Sequence, residues 1–310
     1  LNKIKVFAPA SVSNVGPGFD VMGFAVNNLG DEITAIKKNK SYGVKITEIE
    51  CPGFKIPKAV SKNTAGTAAK SLLKTLDFPF GVELRIKKNY GIGTGLGSSA
   101  SSAAAAVFAV NKLAGEPLTK IELVNFAMEG EKVASGNYHA DNIAPSLLGG
   151  FTIIRNYTPL DIIKLKPNMK IYCGLFMPKI KVETKAARSI LRKTVPLKKT
   201  VEQTGNIAGL VAALFSGNKR LLKDSLVDVI IEPQRAKLIP HFEELKELIL
   251  EDGALGCSIS GSGPTLFFFS DDKKKAKNIL EAARKYYSER GFHSEYFISG
   301  INYSGAKVVK

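Results

Sequence analysis

A two-layered α+β protein in two domains is the fold class that the sequence predicts, and three observations predict it. Strand-like alternation and helical periodicity interleave in both halves of the 310 residues. The stretch 156–170, with Pro159, Pro167 and little periodicity, reads as a linker between an N-terminal domain over 1–155 and a C-terminal one over 156–310. No internal repeat or low-complexity tract interrupts either half.

In order along the chain, β-rich runs at 3–7, 32–37, 44–49 and 82–87 predict strands, and apolar residues at helical spacing predict helices over 63–76, 98–113 and 119–133. A further strand is expected at 151–155. The second half offers a strand at 170–176, helices at 185–192, 197–215, 219–229 and 240–251, and strands at 256–260 and 265–270. A helix over 273–290 and strand-like runs at 294–299 and 306–309 close it.

Composition narrows the function. Hydrophobic residues at 45% and charged residues at 23% are ordinary for a globular chain. No run approaches the roughly 18 apolar residues of a membrane span, and the opening LNKIKVFAPA goes into a strand pattern without a signal peptide's apolar core, so a cytoplasmic protein without membrane contact is expected. Cys51, Cys173 and Cys257 are far apart and lack metal-ligand spacing, which argues against a disulfide framework or a zinc site. The formal charge of +16 comes largely from lysines in small scattered groups, such as Lys37-Lys38 and Lys273-Lys274-Lys275. Nucleic-acid binding would pair basic residues with exposed aromatics on one face; here the aromatics fall mostly on core-like strand positions, so no nucleic-acid partner is expected. A general positive field suits an anionic small substrate.

The chemistry concentrates in GIGTGLGSS, where Gly91, Gly93, Gly95 and Gly97 alternate before an alanine-rich helix. No lysine follows the glycines, so this is not a Walker A loop, and the spacing fails the dinucleotide fingerprint at Leu96 and Ser98. Glycines let backbone approach an anion, and the free N–H groups of the following helix point into the same space with the positive end of its macrodipole. That makes a phosphate cradle, with Ser98 and Ser99 supplying hydroxyls. Taken alone, the loop has a plain glycine turn between strand and helix as its lesser alternative.

Three stretches together carry a resemblance. GLGSSASS from Gly95, PASVSNVGPGFD from Pro9 and SGSGPT from Ser260 resemble, in order and over nearly the whole chain, the motifs of the GHMP kinase superfamily, which includes galactokinase, homoserine kinase and mevalonate kinase. HADNIAPSLLGG from His139, VETKAAR from Val182 and EPQRAKLIP from Glu232 are most similar to its homoserine-phosphorylating form. Two departures stand out: Gly91 where members usually carry Pro or Lys before the loop, and His241 where a glycine usually follows Pro240.

The resemblance implies an N-terminal domain like ribosomal protein S5 domain 2, with a left-handed β-α-β crossover, and a ferredoxin-like C-terminal domain. It implies ATP as phosphoryl donor, Mg2+ held by Ser99 and Glu131 with Glu129 as fallback, and nucleotide contacts from Asn63 and from Gly91, Gly93, Gly95, Leu96, Gly97, Ser98, Ser99, Ala100 and Ser101. It implies L-homoserine as acceptor, its hydroxyl phosphorylated to O-phospho-L-homoserine in threonine biosynthesis, and a homodimer. A carboxylate suits an arginine fork, which points to Arg188 and Arg235, with Asp20 for the ammonium group or the hydroxyl end and Asn14, His139, Asp141 and Asn142 for further contacts. A lone helical arginine is also commonly a surface residue, and a lone histidine a satisfied core one. Catalysis is assigned to Asn14, Asp20, Asp141 and Asn142. If Asn142 occupies the position of the superfamily's aspartate, the hydroxyl proton goes directly to a phosphate oxygen; Asp141 is the competing base. Other readings are a shikimate or mevalonate kinase, or a relative that has lost catalysis and senses a ligand.

Overall fold

The computed structural model describes residues 1–39, 43–136 and 138–310. The chain opens with β1 (Lys3–Ser13), β2 (Met22–Lys38) and β3 (Val44–Glu50), then α1 (Thr64–Thr75), β4 (Gly81–Lys87), α2 (Ser98–Leu113), α3 (Lys120–Ser135), α4 (Ile143–Leu148), β5 (Phe151–Tyr157) and β6 (Leu160–Leu165). It continues with β7 (Tyr172–Pro178), α5 (Thr184–Ser189), α6 (Leu197–Ser216), α7 (Lys219–Ser225), α8 (Glu232–Arg235), α9 (Phe242–Glu251), β8 (Cys257–Ile259), β9 (Leu266–Ser270), α10 (Lys273–Ser288), β10 (Ser294–Gly300) and β11 (Lys307–Val309).

The first sheet runs β11-β1-β2-β4-β3, with β5 on β2 and β6 on β5. Its one parallel pair among the described residues, β3 with β4, is joined through α1 as a β-α-β unit. Ile4, Val6 and Ala8 of β1, Ile33 and Ala35 of β2 and Leu84 and Ile86 of β4 bury one face of this sheet under α1, α2 and α3. Alanines 103 to 106 are fully buried and let α2 lie close to β1 and β2. Asn63 caps α1 by accepting from the Gly66 N–H, and Thr119 with Glu122 forms a capping box on α3.

In the second sheet the order is β10-β7-β9-β8, antiparallel throughout. Numbered within this unit that is 4-1-3-2 with helices between, the ferredoxin-like arrangement. Every residue of β9, Leu266-Phe-Phe-Phe-Ser270, is buried because both faces are covered: Phe268 meets α9 and α10, while Phe267 and Phe269 meet Phe24 and Phe151 of the first sheet. The two units thus share an aromatic core.

Two expectations change. Residues 156–170, read as a linker, carry β6, which pairs antiparallel with β5 and extends the first sheet; prolines at its flanks masked a strand whose partner lies a few residues away. Chain-terminal β11 pairs with β1, so the first sheet takes strands from both ends of the sequence. Among the described residues no helix is long and apolar enough to cross a membrane.

Candidate active site

A cavity of about 440 Å³ lies where the first sheet's glycine loop, the turn after β1 and helices α3, α5 and α8 converge. Its phosphate-loop wall is built by Gly93, Gly95 and Gly97, all with positive φ. A Cβ at Gly95 would lie 2.4 Å from the Ser260 carbonyl oxygen, and one at Gly97 would lie 2.4 Å from Ser11 Oγ. Only glycine fits either place. The C-terminal stretch Ser260–Thr265 grips this loop from the other unit: Ser260 Oγ donates to Gly95 O at 2.7 Å and the Thr265 N–H to Thr94 O at 3.3 Å.

Beneath the loop sits a group that sequence reading missed. Lys88 and Asp31, with side chains 4% and 0% exposed, form a buried ion pair. Asp31 also accepts from Ser101 and Ser102, each at 2.8 Å, and Lys88 Nζ donates to the Ser98 carbonyl. Nothing local marks Lys88 apart from its neighbour Lys87; only the strand's alternation, which turns one lysine inward, distinguishes them. Ser101 is therefore a strut of the loop and does not line the cavity, and Ala100 is buried with it. Gly91 and Leu96 face a neighbouring cleft on the loop's other side, and Asn63 is occupied as the α1 cap and as donor to Pro57 O.

At the helix N-terminus Ser99 Oγ donates to the Glu131 carboxylate, at 2.9 and 3.2 Å to its two oxygens. Burial raises the Glu131 pKa, partly offset by that hydrogen bond and by Lys88. Glu129 instead accepts from Tyr138 OH on the exposed side of α3. Hydroxyl and carboxylate oxygens so placed fit a hard divalent cation.

The opposite end carries charge pairs. The turn Asn14–Asp20 has positive φ at Asn14 (71°), Val15 (43°) and Asp20 (60°), backbone strain held in place by Asn14 Oδ1 accepting from the Asp20 N–H and Asn14 Nδ2 donating to Gly261 O. Asp20 is gripped by Arg188, whose Nη2 and Nη1 lie 2.5 and 3.3 Å from its two oxygens, and has His139 Nδ1 at 3.6 Å. The guanidinium groups of Arg188 and Arg235 both lie over the Phe19 ring, 5.3 and 5.2 Å from its centroid. Arg235 is tied by Nη1 to Gly261 O and by Nε to Ala187 O, and its Nη2 has no protein acceptor among the described residues. Burial lowers the His139 pKa, Asp20 opposing this and the two arginines adding to it, and His139 Nε2 is buried without a partner among the described residues.

Asp141 and Asn142 line the cavity between its two ends. Asn142 is locked: its Oδ1 accepts from Ser11 at 2.8 Å and its Nδ2 donates to Ser13 at 2.9 Å. Burial first, and the charge of Asp20 second, push the Asp141 carboxyl up to about 7. Ser13, Phe19 and Thr184 also line the wall and were not singled out from sequence, although all three stand inside quoted motifs. His241 takes the left-handed conformation (φ 56°, ψ 31°) that a glycine would hold without strain, and Arg235 stays in the site regardless.

Comparison with known proteins agrees with this geometry. Family models described as the GHMP kinases N-terminal domain and the GHMP kinases C-terminal match residues 63–150 and 210–289. The chain is 44% identical to a homoserine kinase of Chlorobium phaeobacteroides (strain BS1) over 98% of each chain, and 42% identical to one from Chlorobium phaeovibrioides over 100% of each. A crystal structure of homoserine kinase from Cytophaga hutchinsonii superposes with a TM-score of 0.96 at 44% identity, covering 100% of this chain and 98% of that one. With the loop, the turn and both arginines in one cavity and likeness along the whole length, the chain belongs to the GHMP kinase family.

Proposed function

We propose that the protein phosphorylates the hydroxyl of L-homoserine, with ATP as donor. The observation that carries this reading is a single cavity with opposite chemistry at its ends: an α2 N-terminus with Ser99 and Glu131 at one, and Asp20 with Arg188 and Arg235 at the other. A zwitterionic amino-acid alcohol matches the second end; mevalonate, shikimate and galactose lack the ammonium group that Asp20 would take.

Phosphoryl transfer asks for alignment and charge stabilisation around a loose transition state. Backbone N–H groups from Gly93 to Ser99 would hold the ATP phosphates, and the buried Lys88–Asp31 pair, neutral as a whole, braces the helix start beneath them. Ser99 and Glu131 would hold Mg2+, which supplies charge neutralisation at the phosphates. At the acceptor end, Arg235 Nη2 is available for the α-carboxylate, with Arg188 beside it, and Asp20 for the ammonium group. Asn142, an amide pinned by two serine hydroxyls, cannot take a proton, and it orients the reacting groups. Asp141 takes the hydroxyl proton, because a carboxyl held at about 7 is matched to that task near neutral pH.

Titration calorimetry tests the two-ended recognition. L-Homoserine should bind at least tenfold more tightly than 4-hydroxybutyrate, which lacks the ammonium group, and than 3-aminopropanol, which lacks the carboxylate. Equal affinity for all three would overturn the reading.

A further inference from the structure

Two polar side chains outside the cavity lining join its acceptor end from behind. Asp228, in the stretch leading into α8, is buried and takes four donors: the Ile230 and Ile231 N–H groups and Gln203 Nε2 on Oδ1, at 2.9, 2.8 and 2.9 Å, and the Glu232 N–H on Oδ2 at 3.0 Å. Three successive backbone donors on one carboxylate fix the entry to α8, and Arg235 is that helix's last residue. Gln203, half-buried on α6, uses its whole amide: Nε2 donates also to Pro17 O at 3.1 Å, and Oε1 accepts from the Val229 N–H at 2.9 Å. Pro17 belongs to the strained turn Asn14–Asp20, two residues before Phe19, whose ring lies under both guanidinium groups, and three before Asp20. One helical turn beyond Gln203, Ile207 reaches the same turn: its Cδ1 would lie 3.5 Å from a Cβ at Gly18.

We propose that Gln203 and Asp228 are positioning residues that fix the span between the carboxylate site at Arg235 and the ammonium site at Asp20, and so make the acceptor end select a molecule that carries both charges on one carbon. This rests on the reading of the acceptor as an amino-acid alcohol. The link runs from Pro17 O through the Gln203 amide to Asp228 and on to the first turn of α8. On the cavity side the Gly261 carbonyl accepts from both Asn14 Nδ2 and Arg235 Nη1, so turn and helix are held at front and back. A shift of about 1 Å between two such sites is enough to spoil simultaneous engagement of a small rigid ligand. Capping α8 would need Asp228 but not the bridge from Gln203 to Pro17, and that bridge is what ties the two recognition sites together. Asp228 also supports Arg235 by charge: burial lowers the Arg235 pKa, Arg188 adds to this, and Asp20 and Asp228 oppose it.

Gln203→Leu removes the bridge and leaves the Asp228 cap in place, while Gln203→Glu keeps the size and puts an oxygen where the donor nitrogen faced Asp228 and Pro17 O. Titration calorimetry of the parent and both variants with L-homoserine, 4-hydroxybutyrate and 3-aminopropanol reads the span. L-Homoserine should bind about tenfold more weakly to each variant, whereas the two single-charge analogues, each engaging one end only, should change by less than about twofold. In steady-state kinetics KM for L-homoserine should rise by about the same factor while KM for ATP stays within about twofold and circular dichroism is unchanged. If Gln203→Leu does not fold, Gln203→Glu decides alone. Equal weakening of all three ligands, or undiminished L-homoserine binding, would overturn the positioning role. A parent that binds all three equally would instead overturn the amino-acid reading of the acceptor, and this proposal with it.

Discussion

Replacing Asp141 by asparagine removes one ionisable group from the cavity wall and keeps its shape. In the folded protein this carboxyl is raised from an ordinary 3.8 to about 7, by burial first and by Asp20 second. The native state therefore holds the proton more tightly than the unfolded chain does. Its contribution to stability is complete below about pH 4 and is lost as pH rises through about 7. At 1.36 kcal/mol per pKa unit the whole loss is about 4 kcal/mol, of which about 2.5 kcal/mol falls between pH 5 and pH 8. The asparagine variant has no such group, so its stability relative to the parent should rise by about 2.5 kcal/mol over that interval. Urea unfolding of both proteins at the two pH values reads this directly, because other titrating groups cancel in the difference. Parallel behaviour would refute the claim that burial and Asp20 raise the Asp141 carboxyl. The same variant separates the two proton routes: with Asp141 as acceptor kcat falls by at least about 100-fold, whereas near-parental kcat assigns the proton to a phosphate oxygen.

Gly95→Ala should weaken ATP binding by tenfold or more, since the new Cβ meets the Ser260 and Gly263 carbonyl oxygens at 2.4 and 2.8 Å and φ is +81°; a nucleotide titration checks it, and unchanged affinity contradicts the role of the loop. Lys88→Met strands Asp31 in the interior and should cost about 3–5 kcal/mol in urea unfolding. A loss under about 1 kcal/mol would mean the pair is solvated in solution. Arg188→Leu breaks the fork on Asp20 and should lower kcat/KM for the acceptor by about 100-fold or more while KM for ATP changes less than severalfold, as steady-state kinetics with each substrate varied will show.

The local parts of this fold were legible in the sequence. Helix α2 was expected over 98–113, where it lies, because alanine-rich composition and the glycine loop mark both its body and its start. The glycine loop, the turn at Asn14–Asp20 and the arginines of α5 and α8 were each visible as short motifs, and the fold brings most of their residues to one cavity. What depends on distant pairing was not legible. Helix α4 has six residues and too little length for a periodic signal, and β6 hid in a stretch with flanking prolines. Strand β1 was expected to end near residue 7, yet it runs to Ser13 because a bulge between Pro9 and Ser11 lets it pass from one core to the next. The Lys88–Asp31 pair spans 57 residues, and no local pattern joins a lysine just past the end of β4 to an aspartate on β2. Asn63 shows how one position carries two readings: assigned to the nucleotide from its motif, it also caps α1, which its position before a helix announces equally well.

The most direct test of the central claim is ADP release from ATP and Mg2+ by the pure protein, with L-homoserine, mevalonate, shikimate and galactose offered separately. Turnover with L-homoserine alone, abolished by Arg235→Leu, is the predicted result. Turnover with any of the other three in preference to L-homoserine would contradict the assignment of Asp20, Arg188 and Arg235 to an amino-acid acceptor, and ATP binding without turnover on any of them would contradict catalysis itself.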